Sequence, residues 1–187
     1  TAAAIQANHS LLGKISVERI NVEFIKMLLG KERSTGLRTF VETQCYIYCP
    51  GLRDYGEALL RFADLPDEPL HTESQAWVLL IDQLGLQESE IRPFLKEWKC
   101  SNQMIREVQM IVYGLTQRKR QMLEPLVLYH LGKENALKTE ELMIYFGETP
   151  QLDQVAKRYD QLPITSMREL AIDGKKLLSV SDKKPGK

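Results

Sequence analysis

Apolar residues recur at helical spacing along almost the whole chain. In and after Ile15-Ser16-Val17-Glu18-Arg19-Ile20, the positions Val17, Ile20, Phe24 and Leu28 form one stripe, with Arg19, Glu23 and Lys26 on the opposite face. Ser16 stands where an N-cap is needed, Ile15 and Ile20 flank it at the staple positions, and Gly30 is placed to end the helix. Leu37, Phe40 and Val41 begin another stripe, closed by the Pro50-Gly51 turn. Tyr55 to Phe62 predicts a short helix, broken by the acidic, proline-containing stretch from Asp64 to Pro69. Ser74 is placed to cap a helix carrying Trp77, Leu80, Ile81 and Leu84 before Gly85. A helix from about Ser89 to Trp98 tolerates Pro93 only near its first turn. Asn102 to Arg120 is the longest predicted helix, with Ile105, Val108, Val112 and Leu115 three or four apart. Helices around Met122–Leu131, Thr139–Phe146 and Thr149–Leu162 follow, the last with Thr149 as cap and Pro150 in its first turn. No Asn-Gly hairpin, sustained alternation or fixed-period repeat occurs, so the predicted fold class is all-α.

Composition narrows the class. The 187 residues are 43% hydrophobic and 27% charged, too apolar for disorder and enough to bury a core without disulfides. The apolar runs, Val78 to Ile81 among them, fall far short of the ~20 residues of a membrane span, so no membrane partner is expected. No basic start followed by an apolar stretch stands near Thr1, which opens what reads as the middle of a helix in a piece of something longer. Cys45, Cys49 and Cys100 are an odd set, unlike a secreted disulfide framework, and predict a cytoplasmic protein.

Charge changes the picture more. Lys+Arg and Asp+Glu balance at 25 each, which argues against a uniformly basic nucleic-acid binder. The balance is local, however: residues 1–40 sum to +3, 41–90 to −8, 91–120 to +5 and 171–187 to +3. Local charge decides which surface meets a phosphate backbone.

Catalytic signatures are scarce. The sequence has no Walker loop, Rossmann glycine pattern, Gly-x-Ser-x-Gly elbow, His-Glu-x-x-His helix or Asp-x-Asp pair. His9, His71 and His130 are scattered, with no Asp following any of them. Cys45 and Cys49 share a helix face if that segment is helical, but two thiols do not make a zinc site, and they read as apolar fillers. No catalytic residue and no metal ligand is assigned.

The segment Ile15–Ile20 resembles the neck-helix motif of the class II CCA-adding enzymes, the bacterial tRNA nucleotidyltransferases. The resemblance runs back through Thr1, Ala4-Ile5, Asn8 and Leu11-Leu12, and forward through Glu23, Leu28, Gly36-Leu37 and Pro50-Gly51-Leu52. It continues in Gly85 and the run from Phe94 to Asn102, then in Leu162-Pro163-Ile164, Glu169-Leu170-Ala171, Gly174-Lys175 and Lys184-Pro185-Gly186. It implies an elongated multi-helix array: the rest of a neck (1–32), a helical body (33–120) and the first part of a tail (121–187). Family members begin with a nucleotidyltransferase head bearing a glycine-serine motif, a metal-binding Asp-x-Asp pair and an Arg-Arg-Asp element. Their neck adds Glu-Asp-x-x-Arg, and none of these occurs in this sequence. In the intact family the tRNA 3′ hydroxyl attacks the α-phosphate of CTP or ATP at head-bound Mg2+, and pyrophosphate leaves. The resemblance thus implies that this chain grips the acceptor and T arms of tRNA beside its own head, holds no cofactor and is inactive alone.

The residues carry two readings each. Ser16, Glu18, Arg19 and Glu23 match the neck motif and would support the nucleotide site; as plain chemistry they are a capped helix with surface ion pairs. Arg118, Lys119 and Arg120 close the longest predicted helix, where the dipole favours cations and where phosphate contact serves equally well. Lys175, Lys176, Lys183 and Lys184 around Gly174 are placed for an RNA backbone, or simply solubilise a terminus. Trp77, Trp98 and Tyr113 are expected to pack in the core. The acidic stretch 41–90 faces away from RNA or meets a basic partner. A bacterial poly(A) polymerase arm and a non-catalytic helical protein-interaction module are the alternatives.

Overall fold

The computed structural model describes residues 2–165 and 169, and among these every regular element is helical. The α-helices are α1 (Ala2–Asn8), α2 (Val17–Leu29), α3 (Arg33–Glu42), α4 (Gly56–Ala63), α5 (Glu73–Leu84), α6 (Glu88–Glu97), α7 (Asn102–Arg118), α8 (Pro125–Glu141) and α9 (Leu152–Asp160). Single 3-10 turns lie at His9–Lys14, Cys45–Tyr48 and Leu142–Phe146. Neighbours in sequence pack on each other, α2 on α3, α3 on α4, α4 on α5, α6 on α7, α7 on α8 and α8 on α9, which makes an array of helices.

Local chemistry sets the ends. Ser16 is the N-cap of α2 and its carbonyl accepts from Arg19 and Ile20 N–H, both at 3.1 Å, but its hydroxyl makes no capping bond. Gly30 does end α2, in an extended conformation and not the left-handed one. Thr72, not Ser74, caps α5: its hydroxyl accepts from Gln75 N–H at 3.3 Å while the Gln75 carboxamide accepts from Thr72 N–H at 3.1 Å. That reciprocal pair satisfies two helix-end donors, and leaves Ser74 buried inside the first turn. Pro93 lies in the second turn of α6. α9 starts after Gln151, so Thr149 and Pro150 precede the helix instead of opening it.

α8 holds the largest departure from the sequence pattern. Gly132 breaks it with φ 72° and ψ 162°, a conformation glycine adopts without Cβ strain, and helix resumes where the sequence suggested a gap before Thr139.

Two apolar clusters result. The first joins α2, α3, α4, α5, α6 and α7 around Trp77 and Trp98, both fully buried, with the Phe24 ring 4.8 Å from that of Trp98. Leu142, Met143 and Tyr145 return to this cluster. The second is Leu123, Val127, Leu128, Leu131, Ala136 and Val155, between α8 and α9. Trp77 and Trp98 therefore pack as expected, whereas Tyr113 is 42% exposed, because in its turn of α7 it is Gly114 that faces α8.

The acidic stretch finds cations within the chain. Arg33, only 2% exposed, donates to Glu68 and Pro66 carbonyls at 3.0 and 2.7 Å and sits between the Phe62 and Tyr145 rings. Arg38 pairs with Asp64 beside it.

Candidate functional site

The N-terminal helices leave an apolar surface uncovered. Ile5, Leu11, Ile15 and Val22 are all exposed large hydrophobic side chains. His9 fixes this segment to the 3-10 turn at Cys45–Tyr48: its Nδ1 lies 3.1 Å from the Thr43 carbonyl and its ring 5.1 Å from that of Tyr48. Between the segment and α2 runs a groove of about 780 Å³. Phe24, Met27, Phe40 and Cys49 line it, with Leu12, Ile15, Ile20 and Val22 beside them and Glu18, Arg19 and Glu23 as its charged members. A contiguous apolar surface rimmed by charge marks an interaction site.

Three of the four neck-motif candidates thus come together. Glu18 and Arg19 have no ion-pair partner among the described residues, and Glu23 binds Lys26 at 2.7 Å. Ser16 stands at the helix start without lining the groove. Asn21, which the sequence did not single out, clamps α2 from its other side: its Nδ2 donates to the Trp98 carbonyl at 2.7 Å. A lone amide between Ile20 and Phe24 on an apolar stripe was the available signal.

The cations at 118–120, given above as RNA-binding candidates, do not share one environment. Arg118 is 5% exposed and bonds Glu140 and Glu148. Lys119 pairs with Asp82 and lies 3.9 Å over the Phe146 ring. Arg120 alone is exposed without such a partner among the described residues. The reason is tertiary: carboxylates from α5, α8 and the segment before α9 reach this helix end. Gly174, Lys175, Lys176, Lys183 and Lys184 lie outside the described residues.

The thiols are inert fillers. Burial, reinforced by Cys45, pushes the Cys49 thiol up to about 12, and burial pushes Cys100 up to about 11. A 3-10 turn separates Cys45 from Cys49, so they do not share an α-helical face. Among the described residues no three His, Cys, Asp or Glu side chains converge. The described residues therefore supply no carboxylate set for the Mg2+ that the resemblance places in the head. No helix of the described residues is long and apolar enough to cross a membrane.

Known proteins match over the same ground. The family described as "tRNA nucleotidyltransferase domain 2" matches residues 68–187, and that of an RNA and SrmB-binding site of polymerase A matches residues 1–55. The chain is 50% identical over 187 residues to a CCA-adding enzyme of Enterococcus faecalis, covering 100% of this chain and 46% of that protein. It is 37% identical over 186 residues to the CCA-adding enzyme of Limosilactobacillus reuteri, again covering 46% of the relative. The crystal structure of the Bacillus stearothermophilus CCA-adding enzyme in complex with CTP superposes with a TM-score of 0.92 at 33% identity, over 100% of this chain and 48% of that one. The chain spans about half the length of the curated relatives it matches. With a family match across more than half its length, and relatives aligned along the whole of this chain, the chain belongs to the tRNA nucleotidyltransferase family, whose helical portion it represents.

Proposed function

We propose that this chain is the tRNA-gripping and supporting part of a CCA-adding enzyme, which adds CMP and AMP from CTP and ATP to tRNA 3′ ends. Residues 1–32 serve as neck, 33–120 as body and 121–187 as the start of the tail. The observation that carries this reading is the end-to-end similarity to CCA-adding enzymes, including one solved with CTP. The groove beside α2 supports it, because Glu18, Arg19 and Glu23 edge an apolar surface on which a nucleotidyltransferase head can seat.

In this reading α2 acts as a brace. Its buried face is fixed by Phe24 and Asn21 against Trp98, so the outer face holds one orientation toward the head. Nucleotide chemistry belongs to carboxylates of the head, and no step is assigned to residues of this chain. The polymerase A match over residues 1–55 favours a second reading, the arm of a poly(A) polymerase.

Two measurements test the proposal. The chain should bind tRNA lacking its CCA end with affinity that falls steeply with salt, since each neutralised phosphate releases counterions. With that tRNA, CTP, ATP and Mg2+ it should incorporate nothing. Salt-insensitive binding, or template-free incorporation by the pure chain, would defeat the assignment. Incorporation of CTP by the whole enzyme separates it from a poly(A) polymerase.

A further inference from the structure

We propose that Asn21 is a positioning residue for nucleotide binding by the whole enzyme, an inference that rests on the CCA-adding role above. Its amide fixes the register of α2 against the corner between α6 and α7, and through α2 it places Glu18 and Arg19.

The corner has a fixed geometry of its own. α6 ends at Trp98, and Lys99 takes the left-handed conformation with φ 61°, where glycine is the usual residue. Cys100 N–H donates back to the Leu95 carbonyl and Lys99 N–H to the Lys96 carbonyl, both at 3.0 Å. Ser101 then caps α7, its hydroxyl accepting from Met104 N–H at 3.1 Å. Among the described residues no backbone N–H reaches the Trp98 carbonyl, which stands as an open acceptor at the helix end. A non-glycine residue held at positive φ persists only where its surroundings over-determine it.

Asn21 supplies the missing donor from 77 residues away. Its Nδ2 donates to the Trp98 carbonyl at 2.7 Å and lies 3.8 Å from Cys100 Sγ. Trp98 is fully buried, so water cannot take the place of the amide. The Trp98 ring holds α2 as well, stacked 4.8 Å from Phe24, while its indole N–H has no hydrogen-bond partner among the described residues. Stacked rings tolerate sliding, whereas a short hydrogen bond is directional. The amide therefore sets how far α2 is rotated and advanced.

α2 carries that register outward. Glu18 precedes Asn21 by three residues, so the two are neighbours on the helix surface. Asn21 lines a notch of about 400 Å³ with Glu18, Val22 and Lys99, and Glu18 and Val22 line the apolar groove on the other side as well. Arg19 and Glu23 edge the same groove. A slip of α2 thus moves every charged residue offered to the head, and misplacement by about 1 Å at a supporting element is enough to impair a site.

The test measures incorporation of CTP and ATP by the whole enzyme into tRNA lacking its CCA end. N21D keeps the size of the side chain but at about pH 8 sets a carboxylate against a carbonyl and a helix C-terminus. KM for both nucleotides should rise about fivefold or more, with kcat and tRNA affinity within about twofold of the parent. Protonation restores a donor, and the carbonyl and helix end push the new carboxyl pKa up. The other groups facing it do not reverse this: burial pushes the Cys100 thiol up to about 11, and the notch holds two carboxylates, Glu18 and Glu73, against two ammonium groups, Lys26 and Lys99. The KM defect of N21D should therefore shrink, relative to the parent, as pH falls toward about 6. N21L, of the same size without a donor, should keep its defect at both pH values. L28V removes packing from the buried stripe of α2 without touching the bond, and should keep the parent KM even as its urea midpoint falls. N21D with the parent KM at about pH 8 overturns the positioning role and leaves the CCA-adding reading standing. So does an N21D defect that ignores pH, or an equal rise in KM from L28V. A whole enzyme that incorporates no CTP into this tRNA overturns the reading and the proposal together.

Discussion

Arg118 and Glu140 meet through two hydrogen bonds, Nε to Oε2 at 2.7 Å and Nη2 to Oε1 at 3.0 Å, across the packed faces of α7 and α8. Glu140 is fully buried, Glu148 approaches the same guanidinium at 2.9 Å, and Gln151 N–H donates to Glu140 Oε1 at 3.0 Å. Bonding to Glu140 raises the Arg118 pKa, so the guanidinium stays charged.

Removing Glu140 leaves the buried guanidinium with only the half-exposed Glu148, and losing one partner of such a buried pair costs up to about 3–5 kcal/mol. Glu140→Ala should therefore lower the urea midpoint strongly, while R118M/E140L, which removes both charges and keeps volume, should lose much less. An E140A variant with the parent's midpoint would show that the pair is energetically silent.

The buried thiols give stability a pH dependence of known sign. Cys49 and Cys100 ionise only near 12 and 11 in the folded chain, against about 8.5 when unfolded. Their contribution is complete below about 8.5 and is lost as pH rises from there toward the folded values, because only the unfolded chain releases protons in that window. Urea midpoints measured from pH 7 to 10 should fall, and C49A/C100A should flatten that fall. At pH 8 a thiol reagent should label the native chain slowly and the unfolded chain at once.

Gly114 sets how close α7 and α8 come. A Cβ there would lie 2.7 Å from Thr139 Oγ1 and 2.9 Å from Leu131 Cδ1. Gly114→Ala gains about 0.5–1 kcal/mol of helix preference but loses about 1–3 kcal/mol to overpacking, so net destabilisation is expected. Thr139→Ala in the G114A background should recover part of it, read as a non-additive double-mutant cycle by urea titration. A G114A chain more stable than its parent would show that the helices can separate freely.

How far the sequence could be read depends on where each partner lies. Stripes such as Ile20-Phe24-Leu28 and Ile105-Val108-Leu115 announced their helices, because periodicity is local and their buried faces are apolar. The stretch 133–138 did not: Ala136 is its one buried position, and Glu140 just beyond it is buried because Arg118, 22 residues earlier, meets it. The same distant pairing hid the fate of the 118–120 cations. Tyr113 looked like core because its neighbours are; the structure turns it outward. Glu18, Arg19 and Glu23 were legible as a set through their motif, but the apolar groove beside them depends on Phe40 and Cys49 from α3 and the turn after it.

The groove yields the last expectation. Val22 is 53% exposed and Ile15 43%, so a polar substitution at either changes the chain's own stability by about 0.5 kcal/mol or less. Val22→Glu should leave the melting temperature and tRNA affinity of this chain unaltered. If the head seats on this groove as proposed, the same change in the whole enzyme places a carboxylate against that partner surface, and burying it unpaired is expensive. Nucleotide incorporation by that enzyme should then drop by about tenfold or more, the equivalent of at least ~1.4 kcal/mol of docking free energy. Val22→Leu, which enlarges the apolar contact, should retain full incorporation. If V22E incorporated nucleotides at the parent rate, the groove would have no part in seating the head, and the exposed residues Ile15 and Val22 would need another partner.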